Sequence, residues 1–157
     1  MFKYPSELEF QSQIIKDCTA LGGFGDKIQD KYLKGKCDIW LRLPSGMRFV
    51  WVEVKLHRYN NNETIEDDFS IPQLEYIDKL AENKVPVCGM LFVARKPGWE
   101  KELKFYFKIA TPKELELKFK AHGKISYDFS EYSYFSDLKH VIVYLDNYYE
   151  KLVFKPR

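Results

Sequence analysis

The chain has 157 residues, enough to bury a core, with 45% hydrophobic and 31% charged residues, a globular composition rather than a disordered or fibrous one. A formal charge of +2 does not by itself call for nucleic acid, and 3 cysteines (Cys18, Cys37, Cys88) without paired spacing exclude a disulfide framework or a cysteine-rich zinc module. The N-terminus has no signal-peptide pattern and no apolar run approaches a membrane span, so an intracellular, cytoplasmic protein with reduced thiols and no membrane contact is expected.

Residues 6–21 alternate apolar and polar at helical period, with Phe10, Ile14, Cys18 and Leu21 on one stripe. Ser6 is the N-cap, Glu9 three residues on completes a capping box, and Gly22-Gly23 stop the helix. Residues 27–33 supply a short edge strand. Lys27, Lys31, Lys34 and Lys36 in and around it place cations just ahead of Asp38.

Next come two alternating runs, Asp38-Ile-Trp-Leu-Arg-Leu43 and Phe49-Val-Trp-Val-Glu-Val-Lys55, joined through the turn residues Pro44-Ser45-Gly46. Period-two parity puts Ile39, Leu41 and Leu43 on one face with Val50, Val52 and Val54. Joining these faces pairs Ile39 with Val52 and Leu41 with Val50, which sets Asp38 opposite Glu53, with Lys55 further along. Opposed carboxylates, with Cβ atoms about 4.5–5.5 Å apart, repel. A shared hard cation removes the repulsion, and Mg²⁺ accepts carboxylate oxygens while keeping waters that a phosphate can displace.

Residues 57–68 are polar and aperiodic and read as a loop. Ser70 caps a second helix, with Pro72 in its first turn and Ile71, Leu74, Ile77 and Leu80-Ala81 on its buried face. Val85–Ala94 is continuously apolar, as a strand buried on both faces must be, and Lys104–Ala110 forms the next strand. Thr111-Pro112 with Glu114 opens a short helix, residues 127–135 are aromatic and irregular, and residues 136–152 carry a further helical stripe. These C-terminal aromatics suit packing or a surface between two copies of the chain. Charge is unevenly spread: residues 95–108 carry five basic against two acidic side chains, and residues 61–82 seven acidic against one basic. Such separation presents a phosphate-binding surface without a large net charge.

An acid ending one strand, Glu53-Val54-Lys55 on the next and a helix ahead of both resemble the PD-(D/E)XK nuclease superfamily, although Cys37 stands where a proline usually precedes the first acid. The resemblance covers roughly residues 6–110 and implies an α/β (α+β) fold with a restriction-endonuclease-like αβββαβ core. Its central mixed sheet is flanked by helices, and residues 111–157 form a C-terminal extension of a single domain. Ser70-x-x-Gln73 at the second helix is similar to the virus-type replication-repair nuclease (VRR-NUC) and Holliday-junction-resolvase branches. By that resemblance Asp38, Glu53 and the Val54 carbonyl hold Mg²⁺ or Mn²⁺, Lys55 acts on the attacking water, and Gln73 orients it. A further acid on the first helix, Glu7 or its rival Glu9, completes the site. The implied activity is a metal-dependent DNA endonuclease in replication, repair or recombination, compatible with a homodimer. The alternative is a non-catalytic nucleic-acid-binding or assembly module on the same fold, and a junction resolvase is not separable from a nicking enzyme by sequence.

Overall fold

A computed structural model describes residues 6–28, 37–46, 49–59, 64–95, 103–120 and 124–153. Helix α1 (Glu7–Ala20) begins where Ser6 Oγ accepts the Glu9 amide at 3.2 Å. It ends at Leu21, an exposed cap rather than part of the buried stripe, and Gly22 follows at φ 99°, a backbone state that favours glycine.

Strand β1 (Phe24–Lys27) starts almost at once, earlier than the expected strand over 27–33, whose residues 29–33 lie outside the described ones. The alternation was hidden because the inward position is Gly25: a Cβ there would stand 2.6 Å from Leu41 Cδ2 and 2.9 Å from the Trp40 carbonyl oxygen. Strands β2 (Ile39–Arg42) and β3 (Phe49–Tyr59) pair Ile39 with Val52 and Leu41 with Val50, the register that hydrophobic parity demands. The Gly46 amide closes the turn on the Leu43 carbonyl at 3.2 Å.

The polar stretch expected as a loop is largely strand. β3 runs on to Tyr59, and β4 (Thr64–Asp68) pairs antiparallel with β7 (Lys124–Asp128) in a separate two-stranded ribbon. A partner some sixty residues away leaves no local period to read.

Helix α2 (Ile71–Glu82) leads to β5 (Val87–Arg95), which lies parallel to β3, and β6 (Lys104–Ala110) pairs antiparallel with β5. After α3 (Pro112–Lys120) and β7 come a 3₁₀ turn (Phe129–Glu131), β8 (Ser133–Phe135) and α4 (Leu138–Val153). The main sheet therefore runs β1-β2-β3-β5-β6-β8, mixed because α2 carries the chain across from β3 to a parallel β5. The expected αβββαβ order is present as α1, β1–β3, α2 and β5, with β4 interposed before α2.

Both faces are covered at the centre of the sheet. On one, Phe10, Ile14 and Cys18 of α1 and Val141, Ile142, Leu145 and Tyr149 of α4 bury Val52, Val54, Met90 and Phe92. On the other, Leu74 and Ile77 of α2 and Leu115 of α3 bury Val87, Leu91 and Val93. β5 is thus apolar on both sides, as its unbroken hydrophobic run requires. Ile71, assigned to the buried face of α2, is exposed. The residues expected to be irregular near 127–135 instead supply β8, so the C-terminal portion completes the main sheet and, through α4, much of its first layer. All three cysteines are free and buried. Among the described residues no helix is long and apolar enough to cross a membrane.

Candidate active site

β3 outruns its neighbour. The ladder with β2 stops at Ile39–Val52, yet β3 continues for seven residues beyond Val52. Its amides on that edge at 54 and 56 have no strand to bond, and buried N–H groups left unpaired are costly. Two acids take the place of the missing strand. Asp38 Oδ2 accepts the Val54 amide at 2.8 Å, and Glu7 Oε1, reaching over from the first turn of α1, accepts the Leu56 amide at 3.0 Å. Glu9 is exposed and lines a different cavity, between α1 and β6, with Phe105 and Phe135.

Asp38 does not stand squarely opposite Glu53 on an extended ladder. Its own amide donates to the Val52 carbonyl at 3.1 Å, so regular pairing ends and its carboxylate turns along the β3 edge. Cys37, one residue earlier, is buried in the layer beneath α2. Burial pushes the Asp38 carboxyl above its ordinary range, against the opposing pull of the Val54 amide, of Lys55 and of a hydrogen bond with the Glu53 carboxyl when that group is protonated.

Glu53 and Lys55 project from β3 toward α2, opposite in parity to Val52 and Val54. Glu53 is not open to the cleft but 1% exposed. Its Oε1 accepts from Gln73 Nε2 at 2.7 Å and lies 3.5 Å from Lys55 Nζ, while Oε2 is buried without a hydrogen-bond partner. Burial first, then the charge of Asp38, raises the Glu53 carboxyl to about 8.

Gln73 organises the cluster. Ser70 and Gln73 form a reciprocal capping box: Ser70 Oγ accepts the Gln73 amide at 3.3 Å and Gln73 Oε1 accepts the Ser70 amide at 3.0 Å. The same Oε1 accepts from Lys55 Nζ at 3.1 Å, and the amide end bonds Glu53. The helix cap and the lysine anchor are one side chain. Phe69, missed by the sequence reading, lies under Lys55, whose Nζ is 5.2 Å from the ring centroid. Gly89, paired with Glu53 on β5, lies beside Phe69 and Ala110: a Cβ there would stand 3.3 Å from Ala110 Cβ and 3.4 Å from the Phe69 ring.

Asp38, Glu53, Lys55, Gln73 and Glu7 therefore gather at the end of the β2–β3 ladder. Lys27 ends β1, whereas Lys31, Lys34 and Lys36 lie outside the described residues. Among the described residues no set of three or more His, Cys, Asp or Glu side chains is arranged as a ready metal site. The donors present nevertheless fit a hard divalent cation. Glu53 Oε2 is a buried carboxylate oxygen lacking a partner, Asp38 is adjacent enough to raise Glu53, and residue 54 turns its amide, and with it its carbonyl, to the same edge.

No family model matches the chain. Over 88 residues it is 36% identical to an aspartate–tRNA(Asp/Asn) ligase of Treponema denticola, a stretch covering 53% of this chain and 14% of the ligase. Among solved structures it is similar to Hjc, a Holliday junction resolvase of Archaeoglobus fulgidus. The TM-score is 0.49 at 12% identity, covering 87% of this chain and 95% of the resolvase.

Proposed function

We propose that this protein is a metal-dependent deoxyribonuclease of the PD-(D/E)XK type, hydrolysing phosphodiester bonds in replication, repair or recombination. We place it near the VRR-NUC and junction-resolvase branches. The observation that carries the reading is the buried, unpartnered Glu53 Oε2 beside Asp38, with Lys55 held against the same group by Gln73. Without a cation these two carboxyls can coexist only by retaining a proton, an arrangement for which a structural module has no use.

Asp38, Glu53 and the Val54 carbonyl are the residues that would hold Mg²⁺ or Mn²⁺. Such an ion supplies polarisation of the phosphate and a more acidic bound water. Lys55 directs its ammonium at the attacking water and at the charge gathering on the phosphorane. Gln73, tied to the helix cap, removes the rotamer freedom of Lys55 and sets its position against Glu53. Glu7 fixes the edge of β3 through the Leu56 amide and adds negative charge that both Asp38 and Glu53 feel. Lys27, Lys31, Lys34 and Lys36 are placed by sequence to meet the phosphate backbone.

The test is incubation with supercoiled, linear, single-stranded and branched DNA, with Mg²⁺ or with chelator. Cleavage that requires the ion and falls on the order of 10²–10³-fold in Lys55→Ala is the expected result. Absence of cleavage on every form would leave the binding-module reading in its place.

A further inference from the structure

The side of β1–β3 that carries Glu53 also carries a strip of aromatic rings. Register places Trp40 opposite Trp51 and Arg42 opposite both Phe49 and Phe24, all on the face away from Leu41 and Val52. The rings touch in sequence: Phe24 to Trp40 at 5.6 Å between centroids, Trp40 to Phe49 at 5.4 Å. Trp51, two residues before Glu53, packs against the layer beneath α2 and joins the strip to the site.

The opposite face of these strands is buried under α1, so the strip does nothing for that core. Phe24 and Phe49 are 52% and 50% exposed, and Arg42 between them is exposed as well. Single exposed apolar residues are ordinary, but touching rings around an arginine on a sheet face form a contiguous patch. Asp26, opposite Trp40, is the acid on this face of β1, and its carboxylate accepts the Lys27 amide at 2.8 Å.

We infer that the Phe24–Trp40–Phe49 strip, with Arg42, is a stacking platform for the unpaired bases of a DNA strand whose backbone runs on to Asp38 and Glu53. This rests on the nuclease reading of the site and narrows it to substrates with a single-stranded segment. Two features favour a nucleic-acid strand over a second protein. The strip is continuous with the candidate catalytic cluster, and it combines ring faces with a guanidinium, the pairing that holds bases and phosphates without reading sequence. A duplex keeps its bases stacked inside and offers the rings nothing.

The experiment measures fluorescence anisotropy of a labelled oligonucleotide of about 16 nucleotides, single-stranded or as a duplex, in chelator so that no cleavage intervenes. Wild type is compared with Phe24→Ser, Phe49→Ser and the double variant, whose exposed positions leave the core intact, with circular dichroism as the check. Tighter binding of the single strand, quenching of tryptophan fluorescence on binding, and about a tenfold loss per ring removed are expected, duplex binding being little changed. Single-strand affinity unaltered in the folded double variant would overturn the inference. So would a change confined to sedimentation, which would make the strip a contact between two copies. Cleavage is scored separately with Mg²⁺. A wild type that cuts nothing yet binds single strands through the rings removes the nuclease reading and keeps the platform. Cutting that is indifferent to the rings removes the platform alone.

Discussion

At the scale of single residues the site is a balance among three acids and one ammonium. Without a cation, Glu53 keeps its proton up to about pH 8, against an ordinary value of 4.5. The folded protein then holds a proton that the unfolded chain releases. This contribution to stability is complete below about 4.5 and is lost as pH rises to about 8. In chelator, the melting temperature of wild type should fall across that window, and Glu53→Gln should flatten the profile. Mg²⁺ should oppose the fall, most strongly at the alkaline end where no proton competes for the oxygens. Asp38→Asn should weaken the ion's binding by calorimetry, and equal binding by both proteins would remove Asp38 from the metal set. Gln73→Ala should lower cleavage less than Lys55→Ala, because it frees the ammonium without removing it.

At the scale of elements, the α2 N-terminus and β3 are coupled through one glutamine. Ser70→Ala removes a cap worth about 1 kcal/mol. It keeps the Ser70 backbone amide that donates to Gln73 Oε1, so the variant should lose stability while its cleavage rate changes little. A denaturant curve beside a rate measurement checks this; a rate loss beyond the change in stability would show that the Ser70 hydroxyl itself positions Gln73. The start of β1 is under a different constraint. A Cβ on Gly23 would lie 2.4 Å from the Arg42 carbonyl oxygen and 2.7 Å from Cys18 Sγ, between α1 and β2. Gly23→Ala should therefore cost about 1–3 kcal/mol, as overpacking does in a core that cannot yield.

At the scale of the whole molecule, the C-terminal portion behaves as core. Leu145 of α4 is fully buried in the cluster that holds Phe10, Val54 and Phe92, and Tyr149 Oη donates to the Val87 carbonyl at 3.2 Å. Leu145→Ala should destabilise by about 2–5 kcal/mol in a single cooperative transition. A separate early transition, with the rest intact, would mean that α4 is an appendage after all.

Much of this was legible in the chain itself. Hydrophobic parity in 38–43 and 49–55 determined the hairpin register, because a slip of one residue would turn every valine out of the core. The unbroken apolar run determined a central β5, and Ser70 with Gln73 determined the start of α2. Tertiary structure alone decided the rest. β4 and β7 are strands through mutual pairing across the chain, and β1 shows no alternation because Gly25 yields its side-chain space to Leu41. Which of Glu7 and Glu9 reaches β3 depended on the position of α1 over that strand, since both acids suit a helix N-terminus and Glu7 is the one that accepts the Leu56 amide. The burial of Glu53 beneath Gln73, which leaves one of its oxygens unpartnered, depends on α2 packing over β3, and no local pattern encodes a contact between elements twenty residues apart.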